Sequence, residues 1–144
     1  EMYHEFFKPM HKLHADLAQD NGMMLERHDC GRCEQFIPDW IELGIRCWNP
    51  AQTSNDLKSI KEKYTGKLAI SGAWDNQGIL GSPEVPDETL RAALEEYVAT
   101  FAPGGSFVYM PMVGGDPEDP RVKAKNDIIK DYYYSHVKDY YKTH

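Results

Sequence analysis

The sequence has few cysteines and no long apolar run. Its 144 residues include three cysteines, of which only two are close together. This odd, uneven set does not form the disulfide framework of small secreted domains. The chain also shows no signal peptide and no apolar run of about 20 residues, the length needed to span a bilayer. We therefore expect a cytoplasmic protein with no membrane partner.

Basic residues are in the minority. The sequence has 16 Lys and Arg residues against 23 Asp and Glu residues, which gives a net charge of −7. This charge repels a phosphate backbone, and no cluster of Lys or Arg offsets it, so we expect no nucleic-acid partner. A hydrophobic content of 41% and a charged content of 27% are ordinary for a globular protein. The chain, residues 1–144, is long enough for a single domain with a real core.

Short predicted strands alternate with predicted helices along the chain. Hydrophobic patterns and turn residues predict strands at 23–27, 45–48, 68–71 and 106–110. They predict helices at roughly 6–20, 33–43, 56–66, 90–101 and 120–142. The alternation predicts βαβ units with a parallel sheet, and hence an α/β fold. Four such units are half of a (β/α)₈ barrel, which needs about 250 residues.

Five residues that follow the predicted strands are candidates for binding a substrate. Ligands of parallel α/β sheets bind at the carboxyl ends of the strands. Asn49 and Gln52 follow the second strand, Trp74 and Asp75 the third, and Met112 the fourth. We predict these five as substrate-binding residues. The alternatives are that Asn49 and Gln52 bond to their own loop, that Trp74 packs in the core, and that Asp75 caps a turn.

The segment "LERHDCGRCEQF", residues 25–36, contains the candidate metal ligands. His28 and Cys30 are two positions apart at a strand end, so their side chains point to the same side. An imidazole nitrogen and a thiolate together suit Zn²⁺, and Cys33 adds a third ligand if the chain turns through Gly31. Two alternatives stay open. One is a buried Cys30 beside a hydrogen-bonded His28, and the other is a redox pair formed by Cys30 and Cys33.

Four segments resemble the carboxyl-terminal half of the uroporphyrinogen decarboxylase superfamily. They are "HDCG" at 28–31, "DWIELGIRCWNPAQ" at 39–52, "LKSIKEKYTGKLAISGAWD" at 57–75 and "APGGSFVYMP" at 102–111. Together they span nearly the whole chain, and their order and spacing make the resemblance fairly specific. It implies a (β/α)₈ TIM barrel of which this chain supplies about the last four units. We therefore expect a fragment that pairs with an N-terminal half barrel or with a second copy of itself, and that is inactive alone.

The resemblance also implies a chemistry. Porphyrinogen decarboxylases use no metal and carry a histidine in the loop after the last strand, where this chain reads "MVGG" at 112–115. The corrinoid-dependent methyltransferases bind zinc through a His-x-Cys pair after the fifth strand, which is where His28 and Cys30 fall. The resemblance thus favours methyl transfer between a small methyl ether or thiol and a corrinoid protein. "GAWDNQG" and "APGGSF" look most like the O-demethylation branch.

One position departs from the zinc methyltransferases. Those of the coenzyme M type usually take a third zinc ligand, a cysteine, from the loop after the eighth strand, and the matching position here is about Val113. Cys33, Asp29, Asp116 or a residue of the other half would have to complete the site, or zinc is weak or lost. Two alternatives to a zinc methyltransferase remain. One is a non-catalytic binding or assembly half-domain, and the other is a metal-free decarboxylase relative.

Overall fold

The four predicted strands form a single parallel sheet. The structure is a computed structural model and describes residues 1–143. The strands are β1 (Leu25–His28), β2 (Ile45–Ala51), β3 (Ala69–Gly72) and β4 (Phe107–Tyr109). They lie side by side in chain order, and each neighbouring pair is parallel. The prediction of four parallel strands is therefore confirmed, with ends that differ by a few residues.

Helices connect the strands as the alternation predicts. They are α1 (Lys8–Asp20), α2 (Ile37–Glu42), α3 (Leu57–Tyr64), α4 (Asp87–Phe101), α5 (Pro120–Tyr132) and α6 (Tyr140–Thr143). A π-helical turn, Tyr3–Phe7, precedes α1, and another, Tyr133–Val137, follows α5, so the predicted last helix is divided into segments. Single 3₁₀ turns lie at Glu34–Phe36 and Ile79–Gly81. The fold is α/β and is consistent with half of a β/α barrel.

Local sequence signals set several helix boundaries. The Asp56 side chain accepts a hydrogen bond from the backbone N–H of Ser59, 3.2 Å away, and so caps the start of α3. Gly44 and Gly66 follow α2 and α3 with φ angles of +84° and +80°, a conformation that favours glycine. The helix ends predicted at these two glycines are therefore confirmed. No helix within residues 1–143 has the length and apolar character required to cross a membrane.

The hydrophobic core lies between one face of the sheet and the helices. Trp48 of β2 is fully buried, and its ring centroid lies 5.7 Å from that of Trp40 in α2. Phe107 of β4 lies 5.1 Å from Tyr97 of α4, again between ring centroids. Burial of such aromatic side chains contributes about 25 cal/mol per Å² of apolar surface removed from water. This layer holds the helices against the sheet.

The opposite face of the sheet is free of helices over residues 1–143. His28 on this face is exposed, Val108 is 44% exposed and Met110 is 37% exposed. The strand order explains the difference between the faces. Right-handed crossovers between successive neighbouring strands place every connecting helix on the same side of the sheet. The helix-free face of such a sheet corresponds to the inside of a β/α barrel.

The apolar residues that predict α1 do not pack against the sheet. Most of their surface is exposed: 59% for Phe6, 60% for Met10, 70% for Leu13 and 65% for Leu17. The first helical segment instead contacts α2 through Asp39, whose carboxylate lies 2.7 Å from Lys8 Nζ and 3.0 Å from His4 Nε2. Burial raises the pKa of Asp39, but the bonds from Lys8 and His4 outweigh it and hold the pKa below its usual value. The periodicity therefore identified the helix correctly but not the face that is buried.

Tyr97 provides a test of how the carboxyl ends of β3 and β4 are joined. Its buried hydroxyl donates to the Gly72 carbonyl and accepts from the Met110 N–H, 3.3 Å away. Tyr97→Phe leaves both backbone groups without this partner, so we expect a loss of about 1–3 kcal/mol in the free energy of unfolding. Urea denaturation measures it. Tyr134→Phe is the control, because Tyr134 is 58% exposed, and its effect should stay within about 0.5 kcal/mol. Equal stabilities of the two variants would contradict this role for Tyr97.

Candidate functional site

The carboxyl ends of the strands bring the candidate residues to one edge of the sheet. In the parallel register, His28 of β1 lies beside Asn49 of β2, and Gly72 of β3 lies between Ala51 and Tyr109. The loops that carry the other candidates continue from these ends. This is the edge at which α/β proteins bind ligands.

His28 and Cys30 approach each other as their spacing predicts. Both side chains are exposed, and the Cys30 Sγ atom lies 3.9 Å from the Nε2 atom of His28. Bonds of about 2.0 Å to nitrogen and about 2.3 Å to sulfur at a tetrahedral zinc would place these two atoms about 3.5 Å apart. The pair therefore fits two corners of a zinc site after only a small adjustment. The structure places the two predicted ligands together, at the end of β1.

The loop that contains Cys30 is anchored by neighbouring side chains. The indole N–H of Trp48 donates to the Asp29 carbonyl at 2.9 Å, and Arg27 binds the Asp29 carboxylate at 2.7 Å. Gln52 Oε1 accepts from the N–H of Gly31, the residue after Cys30. The amide oxygen of Gln52 is therefore engaged inside the protein, by the loop after β1 and not by its own loop.

Asn55, which the sequence analysis does not single out, makes further bonds to the same loop. Its Oδ1 atom accepts from the N–H of Cys33 and its Nδ2 atom donates to the carbonyl of Gly31, both at 2.8 Å. The signal for it in the sequence is weak. Asn55 lies in the polar stretch "QTSND", residues 52–56, where an asparagine commonly bonds to nearby backbone.

Cys33 does not join the pair formed by His28 and Cys30. Its side chain is 4% exposed and packs in the core, and its thiol donates to the Cys30 carbonyl at 3.3 Å. Burial raises the pKa of this thiol above its usual value. Catalytic Cys-x-x-Cys pairs have the opposite property, a lowered thiol pKa. The surroundings of Cys33 thus resemble those of a structural cysteine.

The other proposed third ligands are also engaged elsewhere. Asp29 pairs with Arg27, and Asp116 accepts a hydrogen bond from the N–H of Glu118 at 2.9 Å. Val113, at the position where the resemblance calls for a cysteine, is 2% exposed. Across residues 1–143, no three His, Cys, Asp or Glu side chains come together in a group that would hold a metal ion. His28 and Cys30 are therefore an incomplete ligand set.

A carboxylate of β1 lies on the same, helix-free face of the sheet as His28. Glu26 precedes His28 by two positions in β1, and its Oε1 atom accepts from Asn49 Nδ2 at 3.2 Å. Glu26 also hydrogen-bonds to Cys47. Burial, together with this bond, raises the pKa of the Cys47 thiol to about 11. The only signal for Glu26 in the sequence is the alternation of the strand, which places it on the same side as His28.

The remaining predicted substrate-binding residues are divided between two places. Gln52, Trp74 and Met112 line a small cavity of about 20 Å³ at the carboxyl edge of the sheet, with room for about one water molecule. The indole N–H of Trp74 is buried and has no hydrogen-bond partner among residues 1–143. Asp75 accepts a hydrogen bond from the N–H of Gly78 at 2.9 Å, so it caps a turn. The structure therefore groups Gln52, Trp74 and Met112 around one cavity. Asp75 caps a turn, which is the alternative to substrate binding.

Trp74 and Asp75 also line a second cavity, of about 180 Å³, beside α4. Tyr97 contributes to its wall and contacts Trp74 edge to face, with ring centroids 5.3 Å apart. This packing accounts for the burial of Trp74, which is 5% exposed.

Comparison of the chain with known proteins found no match. No family model, no curated protein and no solved structure matches it.

The three cysteines should differ in their reactivity. At pH 8 only about one in a thousand Cys47 thiols is ionised when its pKa is about 11, and Cys33 is buried. Since the thiolate is the reactive form, we expect Cys30, which is exposed, to react first with a disulfide reagent such as Ellman's. One thiol per chain should react fast in the native protein and all three in denaturant. Cys30→Ser should abolish the fast phase, and a fast phase of two thiols would contradict the structure.

Proposed function

We propose that this chain is the carboxyl-terminal half of a (β/α)₈-barrel methyltransferase of the uroporphyrinogen decarboxylase superfamily. The complete enzyme moves a methyl group between a small methyl ether or thiol and a corrinoid protein. The observation that carries the proposal is the 3.9 Å approach of His28 Nε2 and Cys30 Sγ at the carboxyl end of β1. The family and the reaction rest on the resemblance of four ordered segments, and the parallel sheet with helices on one face is consistent with them.

His28 and Cys30 act as two metal ligands in this proposal. A zinc ion bound there supplies a Lewis acid for an ether oxygen, or lowers the pKa of a substrate thiol. Protein zinc sites commonly have four ligands, so the other ligands come from outside this chain, from the substrate and from a residue of the other half. Asn49 and Glu26 lie next to the pair and orient groups on the barrel wall through their mutual hydrogen bond.

The corrinoid protein docks at the carboxyl end of the barrel in this proposal. His28, Cys30 and Met112 are all exposed at this end of the sheet, so a partner placed there reaches the metal pair directly. The helix-free face contributes half of the barrel wall. When the second half closes over it, water is excluded and the reacting groups are held in line.

A non-catalytic binding or assembly half-domain is the second candidate function. A specific observation favours it, because Cys33, Asp29 and Asp116 all have other partners and Val113 replaces the expected cysteine. Such a module keeps the fold and its interface but binds zinc weakly or not at all. Metal content separates the two candidates.

The zinc proposal predicts the metal content of purified protein. We expect about one zinc ion per complete site, and Cys30→Ser should lose most of it, since removal of one of two chain ligands leaves only His28. Cys47→Ser is the matched control, because Cys47 is a neighbouring thiol that hydrogen-bonds to Glu26 instead. Elemental analysis measures the metal. Protein paired with its second half, prepared with zinc and found free of it, would refute the zinc site and the methyl-transfer proposal.

The half-barrel proposal predicts association. Val108 and Met110 are exposed on the helix-free face, and each outer strand leaves one backbone edge unpaired in the four-stranded sheet. A second copy or an N-terminal half would cover this face and these edges. We therefore expect light scattering to give about twice the monomer mass of 16.5 kDa for the chain alone at micromolar concentration.

Substitutions on two surfaces locate this association. Met110→Asp, on the helix-free face, should shift the protein to a monomer because it places a charge in the covered surface. Met24→Asp is the control, since Met24 is 83% exposed outside the strands, and it should leave the mass unchanged. A stable wild-type monomer with cooperative unfolding would refute pairing of the chain with itself.

A further inference from the structure

Asn55 connects two loops at the carboxyl edge of the sheet. It lies between β2 and α3 and is 7% exposed. Its Oδ1 atom accepts from Cys33 N–H at 2.8 Å, and its Nδ2 atom donates to the Gly31 carbonyl at 2.8 Å and to the Gln52 carbonyl at 3.0 Å. An amide group has two N–H donors and one carbonyl acceptor. Asn55 therefore uses both donors and its acceptor on backbone groups.

These bonds hold the loop that follows β1, beyond the last residues that pair with β2. β1 ends at His28, and Asp29 N–H makes one more backbone bond, to the Asn49 carbonyl at 3.1 Å. Beyond this point the chain turns through Gly31, which has a φ angle of +88°. In this turn the Asn55 side chain, and not a neighbouring strand, hydrogen-bonds to the backbone groups of Gly31 and Cys33. Since Cys30 lies between His28 and this turn, its place depends on how firmly the turn is held.

The bonding pattern explains why an asparagine is needed at this position. The carboxylate of an aspartate accepts from Cys33 N–H but has no donor for the carbonyls of Gly31 and Gln52, and like partial charges would then face each other. An alanine makes none of the three bonds. A buried carbonyl or N–H group without a partner costs about 1–3 kcal/mol, so either change favours other conformations of the turn.

We propose that Asn55 is a positioning residue for the metal pair, which fixes the turn after β1 so that Cys30 Sγ faces His28 Nε2. This inference rests on the proposed zinc-binding function. Residues that orient metal ligands through hydrogen bonds commonly change metal affinity by about 10–100-fold when they are removed. Asn55 contacts the backbone on the far side of Cys30 and not the metal, so its effect acts through the cysteine.

Cobalt(II) titration of the full chain tests the proposal. A thiolate bound to cobalt(II) gives a charge-transfer absorption band in the near ultraviolet, which reports on Cys30 directly. We expect Asn55→Ala to weaken this band and to lower the cobalt affinity about 10–100-fold. Circular dichroism in the same buffer shows whether the variant is folded. The readout is spectroscopic, and in the titration water and buffer molecules fill the positions that the second half barrel and the substrate would occupy.

Asn126 supplies a matched control in the same chain. Its Oδ1 atom accepts from Val113 N–H at 3.1 Å, and its Nδ2 atom donates to the Val113 carbonyl at 2.9 Å and to the Val122 carbonyl at 3.1 Å. It therefore bonds the loop after β4 in the way that Asn55 bonds the loop after β1. Asn126→Ala should lower stability to a similar degree but leave the cobalt affinity within about twofold, since neither His28 nor Cys30 is on its loop.

The outcomes separate the proposals. A wild-type protein with no thiolate band refutes the zinc-binding function, and the role of Asn55 with it. A wild-type band that persists at equal affinity in folded Asn55→Ala refutes only the positioning role. Equal losses in the variants of Asn55 and Asn126 also refute it, because the effect would then be general destabilisation. If Asn55→Ala does not fold, Asn55→Ser decides by the same criterion, since its hydroxyl is neutral and can replace part of the bonding.

Discussion

The order of the strands is the constraint on which the rest of this structure depends. Four parallel strands that follow one another in space as they do in sequence send every connection over the same face. Trp48 is then buried and Phe107 partly buried under helices, while Met110 on the other face is exposed. The same order leaves the two outer strands with free edges. A sheet with two covered faces would need at least one connection to reverse its direction along the sheet, as in doubly wound folds.

Where the strands end, side-chain amides and hydroxyls replace the backbone ladder. Gln52 and Asn55 hold the loop after β1, Tyr97 joins the ends of β3 and β4, and Asn126 holds the loop after β4. Each of these groups bonds to backbone. Such bonds matter because a buried backbone group that loses its partner costs more than an exposed one. Loops that would otherwise be mobile are thereby given one conformation at the edge where a ligand binds.

Sequence reasoning succeeds here for local patterns and fails for non-local partners. The alternation of strands and helices and the shared side of His28 and Cys30 follow from periods of 3.6 and 2, which residues close in sequence define. The direction of Cys33 into the core and the use of the Gln52 amide by Gly31 depend on groups far away in the chain. The exposed stripe that contains Phe6 and Leu13 shows the same limit, because periodicity groups residues on a face without naming what covers it.

An incomplete set of potential metal ligands and an uncovered sheet face lie on the same side of the molecule. His28 and Cys30 are two potential ligands where a zinc site commonly has four, and within residues 1–143 the face of the sheet that continues from His28 has no helix over it. In a closed barrel both gaps point toward the interior, so a single partner, the other half of the barrel, would fill both. A methyltransferase requires both contributions, whereas an assembly module requires only the covering of the face. The two proposed functions therefore differ in whether a second half barrel would supply a ligand as well as a surface.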